Sequence, residues 1–312
     1  MTLLDRFLDG DRKALARVIS LLEKNPNHRA KILDRLYSLS GAACCIGITG
    51  PPGVGKSTLT DRLTSLLRKD SRTVGIIAVD PTSPFTGGAL LGDRLRMQSS
   101  WDDPGVFIRS MADRSHTGGL SEAAPYVMTA LDAFGKDYII VETVGVGQST
   151  LDISEISDTT VVLLTPESGD SIQAMKAGLM EIADVLVVNK NDRAGAGRFA
   201  SELQMVVDMR EWRDGWKPPV LRISARDNTG MDVLYEQLAA HRDYLAGEGR
   251  LEIRRLQQGH AAIQRALDEL WRGQLTEFKD ADDAIDHLSK KVARKEIQPI
   301  TAAREIISRL VM

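Results

Sequence analysis

Residues 50–57 read Gly-Pro-Pro-Gly-Val-Gly-Lys-Ser, a G-x-x-x-x-G-K-[ST] run whose chemistry is that of phosphate binding. Small residues let successive backbone N–H groups turn inward around phosphate oxygens, and a helix start immediately afterwards favours an anion. Lys56 is placed to reach β- and γ-phosphates, and Ser57 to offer an oxygen to Mg2+, while Gly53, Val54, Gly55 and Thr58 complete the phosphate-facing turn. A glycine-rich turn can also be purely structural. Here the apolar Ile46, Ile48 and Thr49 precede it and Leu59, Leu63, Leu66 and Leu67 follow at helical spacing, so strand, loop and helix stand in the order this chemistry needs.

Which nucleotide is bound depends on residues farther on. Val187-Val188-Asn189-Lys190-Asn191-Asp192 places an Asn-Lys-x-Asp box after an apolar strand. The Asp192 carboxylate can accept hydrogen bonds from guanine N1–H and the 2-amino group, whereas adenine lacks that donor and would leave acceptors unpaired. The Lys190 stem could cover the base face, Asn189 could tie this loop to the phosphate loop, and Ser224-Ala225 suits backbone recognition of guanine O6. Alone, such a box could be a solvated turn. Downstream of a phosphate loop, and followed by a Ser-Ala turn, it favours GTP over ATP.

Acidic residues are spaced to serve the metal. Glu142-Thr143-Val144-Gly145 has the D/E-x-x-G form expected beside a γ-phosphate, its glycine N–H sensing the phosphate and its carboxylate acting on Mg2+ or its waters. Val146 stands where many signalling GTPases carry a water-positioning glutamine, so slow intrinsic turnover is expected; Gln148 is a weak substitute. Asp80 follows a strand and points by expectation into the phosphate–metal cavity. Asp93 lies beyond Gly87-Gly88 in a segment that could close over it, or else in a charged surface loop. Residues 165–176, TPESGDSIQAMK, form another polar loop at a strand end, whose plain alternative is a solvated connection.

The elements that must hold these groups can be read from periodicity. Residues 1–40 look helical, from Leu3, Leu4, Phe7 and Leu8 through Leu15, Val18, Ile19 and Leu22, and suit a collar on the next domain. From 41 to 247, strand-like runs at 44–49, 73–79, 106–109, 138–142, 160–165, 185–189 and 220–224 alternate with helix-like stretches. That pattern predicts a mostly parallel sheet with helices on both faces. The polar residues Asp80, Glu142, Thr165, Asn189 and Ser224 fall at strand C-terminal ends, where ligands bind in such sheets. Residues 248–312 carry no strand signal. Ile253, Leu256, His260, Ile263, Leu267 and Leu270 make a narrow heptad seam, either a dimerisation arm or a helix packed on its own domain.

Composition excludes several classes. A chain of 312 residues with 43% hydrophobic and 27% charged residues is long enough for a substantial core and typical of a globular protein. A net charge of -3 gives no reason to expect nucleic acid as a partner. The longest apolar runs are strand-length, far below the roughly 20 residues of a membrane span. The N-terminal stretch lacks a secretory pattern, so the cytoplasm is the expected compartment. Cys44 and Cys45 are adjacent and expected in the core on opposite strand faces, and the five histidines form no zinc pattern.

Taken together, GPPGVGKST, DPTSPFTGGALLGDRLRM, IIVETVGVGQS and GLMEIADVLVVNKND resemble the methylmalonyl-CoA mutase-associated GTPases, the MeaB group once named ArgK or arginine/ornithine transport kinases, over roughly residues 30 to 300. The resemblance implies an α/β, mostly parallel P-loop GTPase sheet flanked by helices, with an N-terminal helical extension and a C-terminal helical dimerisation arm. It implies a GTP-hydrolysing chaperone that gates adenosylcobalamin loading, protection and reactivation of a B12-dependent acyl-CoA mutase, acting as a homodimer. An adenosyltransferase is a further implied partner, and cobalamin is not expected to bind this chain alone. By the same resemblance Lys56 contacts phosphate, Ser57 binds Mg2+, and Asp80, Asp93 and Glu142 rearrange around the metal during hydrolysis. Asn189, Lys190 and Asp192 form the guanine box, and Thr165, Asp170, Gln173 and Lys176 lie in the switch that signals to the mutase.

Two departures stand out. Pro166-Glu167-Ser168-Gly169-Asp170 has Glu167 where the family commonly has glycine, and Thr150 stands where an acid is frequent. Neither touches the core GTP chemistry, and by the resemblance they bear on the partner-facing surface, so the expected mutase is methylmalonyl-CoA mutase or, as these departures suggest, a related but distinct enzyme acting for instance on an isobutyryl- or hydroxyisobutyryl-type ester. The alternative readings are a metallochaperone GTPase for nickel-enzyme maturation, which would want clustered Cys or His ligands, and a transporter-associated protein kinase, which would want kinase signatures.

Overall fold

The computed structural model describes residues 2–24, 26–81, 102–113, 122–143, 153–167, 178–212, 215–277 and 281–310. Among them the β-branched runs form β1 (Cys44–Thr49), β2 (Val74–Pro81), β3 (Val106–Asp113), β4 (Tyr138–Glu142), β5 (Thr159–Leu164), β6 (Val185–Val188) and β7 (Val220–Arg222). They pair in the order β3-β2-β4-β1-β5-β6-β7, every pairing parallel. β1 is flanked by β4 and β5, which places the phosphate loop at the point where the chain turns from building one half of the sheet to the other.

Both faces are buried, which is why the strands read as continuous apolar runs. On one face, α1 (Leu3–Leu8), α2 (Arg12–Lys24), α3 (Pro26–Leu36) and α5 (Ala124–Ala133) bring Phe7, Leu15, Ile19, Leu36 and Leu131 onto Ile77, Val79, Ile139 and Val141. On the other, α4 (Lys56–Lys69) and α7 (Met231–Ala246) set Leu59, Leu63, Leu67, Leu234 and Leu238 against Ile46, Ile48, Ile76, Ile140 and Val161. A third cluster joins α6 (Ala196–Met209), through Phe199, Leu203 and Val207, to Val162, Leu164, Leu186 and Val188. Alternate residues of β2 and β4 serve opposite faces, as the two-residue strand period demands.

The strand ends differ from the sequence reading. β2 and β3 run on together to Pro81 and Asp113, because their pairing continues residue for residue. β7 stops early, since Ser224 instead makes an isolated antiparallel bridge with Thr229. Cys44 and Cys45 do face opposite clusters, yet both are only half-buried, because they occupy the open N-terminal end of β1 rather than its covered middle.

Contacts divide the chain into two compact units, Met1–Arg254 and Arg255–Met312, so the N-terminal helices belong to the same unit as the sheet. The second unit is helical, comprising most of α8 (Arg250–Glu277) with α9 (Ala281–Ala293) and α10 (Pro299–Leu310). No helix among the described residues is long and apolar enough to cross a membrane.

Candidate nucleotide site

The phosphate loop leaves β1 through Gly50, whose φ of 144° suits glycine and whose Cβ position would lie 2.1 Å from the Leu163 carbonyl oxygen. It ends at Gly55, a left-handed N-cap with φ 98°, where an added Cβ would meet Asn189 Nδ2 at 2.5 Å. Glycine at these two positions therefore follows from the close approach of β5 and of the loop after β6. Gly55 brings no side chain to cap α4, and a helix start of this kind favours an anion. Lys56 is buried and its Nζ donates to the Gly50 and Pro51 carbonyls at 2.9 and 3.1 Å, folding the ammonium across the loop. Gly53 is exposed, Val54 buried and Thr58 half-buried in the first turn of α4.

Glu142 ends β4 next to β1 and is 4% exposed. Its carboxylate accepts from Ser57 Oγ at 2.7 Å and from Thr60 Oγ1 at 3.3 Å, spanning the first turn of α4. Thr60 was not singled out from the sequence; three residues after Ser57, it shares the same helix face. Thr143 continues the strand end, its N–H donating to Ile48 O and its hydroxyl to Thr49 Oγ1. Asp80 lies near the end of β2, two residues beyond Ala78, which pairs with Glu142. Its backbone is thereby placed beside the same strand end, while its side chain lies outside the described residues. Asp93, Asp170, Gln173 and Lys176 also lie outside them. Thr165 is buried immediately after β5.

The second half of the site is built around Asn189. Its Nδ2 donates to the Val54 carbonyl at 2.8 Å, and its Oδ1 accepts from the Ala225 N–H at 3.0 Å. One buried amide thus joins the phosphate loop to the loop after β7. The Ala225 amide, read from sequence as a contact for guanine O6, is here engaged by Asn189. Arg62 of α4 also holds this loop, donating to the Ala225 carbonyl at 3.3 Å. Lys190 adopts φ 59°, and Asp192 is exposed at the mouth of the loop. The Ser224 hydroxyl lies 2.7 Å from Asp227 Oδ2 and 3.4 Å from Asp192 Oδ1, which brings Ser224 and Asp192 together and adds Asp227, a residue the sequence reading passed over.

The donors at the phosphate end are a serine hydroxyl and a carboxylate, both hard oxygens at a helix start. They fit Mg2+, which keeps waters and nucleotide-phosphate oxygens and takes few ligands from protein. Among the described residues no group of three or more His, Cys, Asp or Glu is arranged to hold a metal.

Comparison with known proteins agrees with this geometry. A protein of Pyrococcus abyssi named among the GTPases is 44% identical over 99% of this chain and 96% of its own length. GTPase ArgK of Escherichia coli is 34% identical, covering 96% and 93%. Among solved structures, the crystal structure of a LAO/AO transport system kinase matches with a TM-score of 0.75 at 27% identity, over 99% of this chain and 97% of that one. The P-loop GTPase fold and the GTPase names of these relatives assign the chain to guanine-nucleotide binding and GTP hydrolysis in general. The family model described as methylmalonyl Co-A mutase-associated GTPase MeaB matches residues 15–279, and the chain belongs to that family.

Proposed function

We propose that this chain is a homodimeric, cytoplasmic G-protein chaperone that uses GTP and Mg2+ to gate adenosylcobalamin loading, protection and reactivation of a B12-dependent acyl-CoA mutase. The observation that carries the nucleotide half of this reading is Asn189, whose one side chain joins the phosphate loop to the base-side loop. Support for the mutase half comes from the family model and from a Caenorhabditis elegans relative, named methylmalonic aciduria type A homolog, that is 34% identical over 80% of this chain.

In the proposed cycle the Lys56 ammonium exchanges the Gly50 and Pro51 carbonyls for the β- and γ-phosphate oxygens. Ser57 and Glu142 would hold Mg2+, with Asp80 near the end of β2 and Asp93, in the segment beyond Gly87-Gly88, as further acids, and the metal would neutralise charge developing on the transferred phosphoryl group. Glu142 spans two hydroxyls of α4, so a change at the γ-phosphate would be felt at the end of β4. Asp192 reads the guanine edge and the Lys190 stem covers its face. Thr165, Asp170, Gln173 and Lys176 carry the state to the mutase, and an adenosyltransferase is a further proposed partner. The mutase is methylmalonyl-CoA mutase or a relative, and the change at Glu167 in this loop points toward a relative, for instance one handling isobutyryl- or hydroxyisobutyryl-CoA.

The test is to measure GTP turnover of the purified chain alone and with each candidate mutase. Acceleration by one mutase and nucleotide-dependent comigration are expected, and Glu142→Gln is expected to lower the turnover number about a hundredfold while changing GDP affinity little. Absence of both stimulation and association with every mutase would refute the chaperone role.

A further inference from the structure

Glu167 stands just past the end of β5 and reaches the loop that follows the neighbouring strand. Its Oε2 lies 3.6 Å from Lys190 Nζ, and its Oε1 is ion-paired with the Arg193 guanidinium. The sheet explains why they meet. β5 and β6 are parallel neighbours with Leu164 opposite Val188, and the Asn189 N–H still donates to the Leu164 carbonyl at 2.8 Å, so the two loops leave the sheet side by side. Pro166 restricts the backbone just before Glu167. Lys190 is held with φ 59°, uncommon for a residue with a side chain, while the Asn191 N–H is fixed on the Ile223 carbonyl and the Arg193 N–H on the Lys190 carbonyl. The backbone of this loop is thus set by hydrogen bonds, and among the described residues Glu167 is the carboxylate ion-paired with its two cationic side chains.

We propose that Glu167 is a positioning residue for the base-reading loop: its carboxylate clamps Lys190 and Arg193 from the adjacent strand and directs the Lys190 stem toward the purine face. This rests on the guanine-reading role of residues 189–192. It couples the two loops, because whatever moves Glu167 changes how the base is held, and by linkage the seated base biases Glu167. The three side chains are partly exposed, so the clamp is modest and sensitive to salt.

The test is calorimetric titration of GDP, inosine diphosphate and ADP into wild type, Glu167→Gln, Lys190→Ala and the double variant, at low and high ionic strength, with urea unfolding of each. Glu167→Gln is expected to weaken GDP about three- to fivefold at low salt and less at high salt, with stability unchanged. Inosine diphosphate should weaken by the same factor, since the clamp acts on the ring face and not on the 2-amino group. The effect should vanish in the Lys190→Ala background. A guanine-selective wild type with an indifferent Glu167→Gln variant overturns the clamp alone, as does an equal loss with and without Lys190. A wild type that holds ADP as firmly as GDP removes the guanine reading and the clamp with it.

Discussion

Asn189 is the side chain on which both ends of the site depend, because its donor and its acceptor are committed to different loops. Replacing it with alanine would strand the Val54 carbonyl and the Ala225 amide at a buried position. Unsatisfied buried groups cost about 1–3 kcal/mol each, so Asn189→Ala is expected to lose on the order of 2–4 kcal/mol of stability and to weaken GDP binding. Urea unfolding and calorimetry check the two effects; unchanged stability would mean that water replaces the amide at both ends. The same residue shows what could be read beforehand. Its type and its place after an apolar strand announced the tie to the phosphate loop. Its hold on the Ala225 amide was not announced, because that contact depends on where β7 ends. Thr60 and Arg62 were missed for a related reason, and Glu167 was singled out only as a departure in its loop and not as a partner of Lys190 and Arg193: these contacts come from which helix face or strand neighbour a residue meets, and local spacing does not encode that.

At the level of elements, the alternation of apolar runs and helical stretches was legible because the central strands β1, β4, β5 and β6 are largely buried, whereas strand order and exact strand ends come from pairing. A less legible feature is the polar joint at the other end of the sheet, where α7 leads toward α8. His241 is buried in α7, its Nδ1 2.8 Å from Thr159 Oγ1 at the start of β5 and its Nε2 3.4 Å from Asp184, which Arg254 grips with both terminal nitrogens. Trp216 packs on the ring, its centroid 4.7 Å away. Burial pushes the His241 pKa below its ordinary 6.5, outweighing the nearby Asp184 carboxylate that raises it, and Arg254 adds to the lowering. The unfolded chain therefore takes up a proton at a higher pH than the native ring does. Stability is retained above about 6.5 and falls as the pH drops from there through the native pKa, by about 1.4 kcal/mol for each unit of depression. Urea midpoints at neutral and acid pH should show a larger acid loss for wild type than for His241→Asn. An equal loss in both would place the acid sensitivity in other groups.

On the scale of the whole molecule, α8 is a described element that carries a row of exposed apolar side chains. Ile253, Leu256, Ile263, Leu267 and Leu270 lie at heptad spacing and are each more than half exposed. A monomer that left such a stripe in water would forgo about 1.5–3 kcal/mol for each large side chain that could be buried. A second copy presenting the same stripe offers self-complementary cover, because a two-fold pairing sets like surfaces together. The proposed dimer therefore makes a definite demand: at micromolar concentration wild type is expected to sediment as a dimer, and Leu256→Asp with Leu267→Asp as a monomer, by sedimentation equilibrium. These positions lie on α8, far in sequence from the phosphate loop, so the double variant should keep its GDP affinity within about twofold if the nucleotide site is complete in one protomer. A wild type that sediments as a monomer would refute the dimer. A dimer that survives both substitutions would show that the subunits meet elsewhere and that the seam serves another contact.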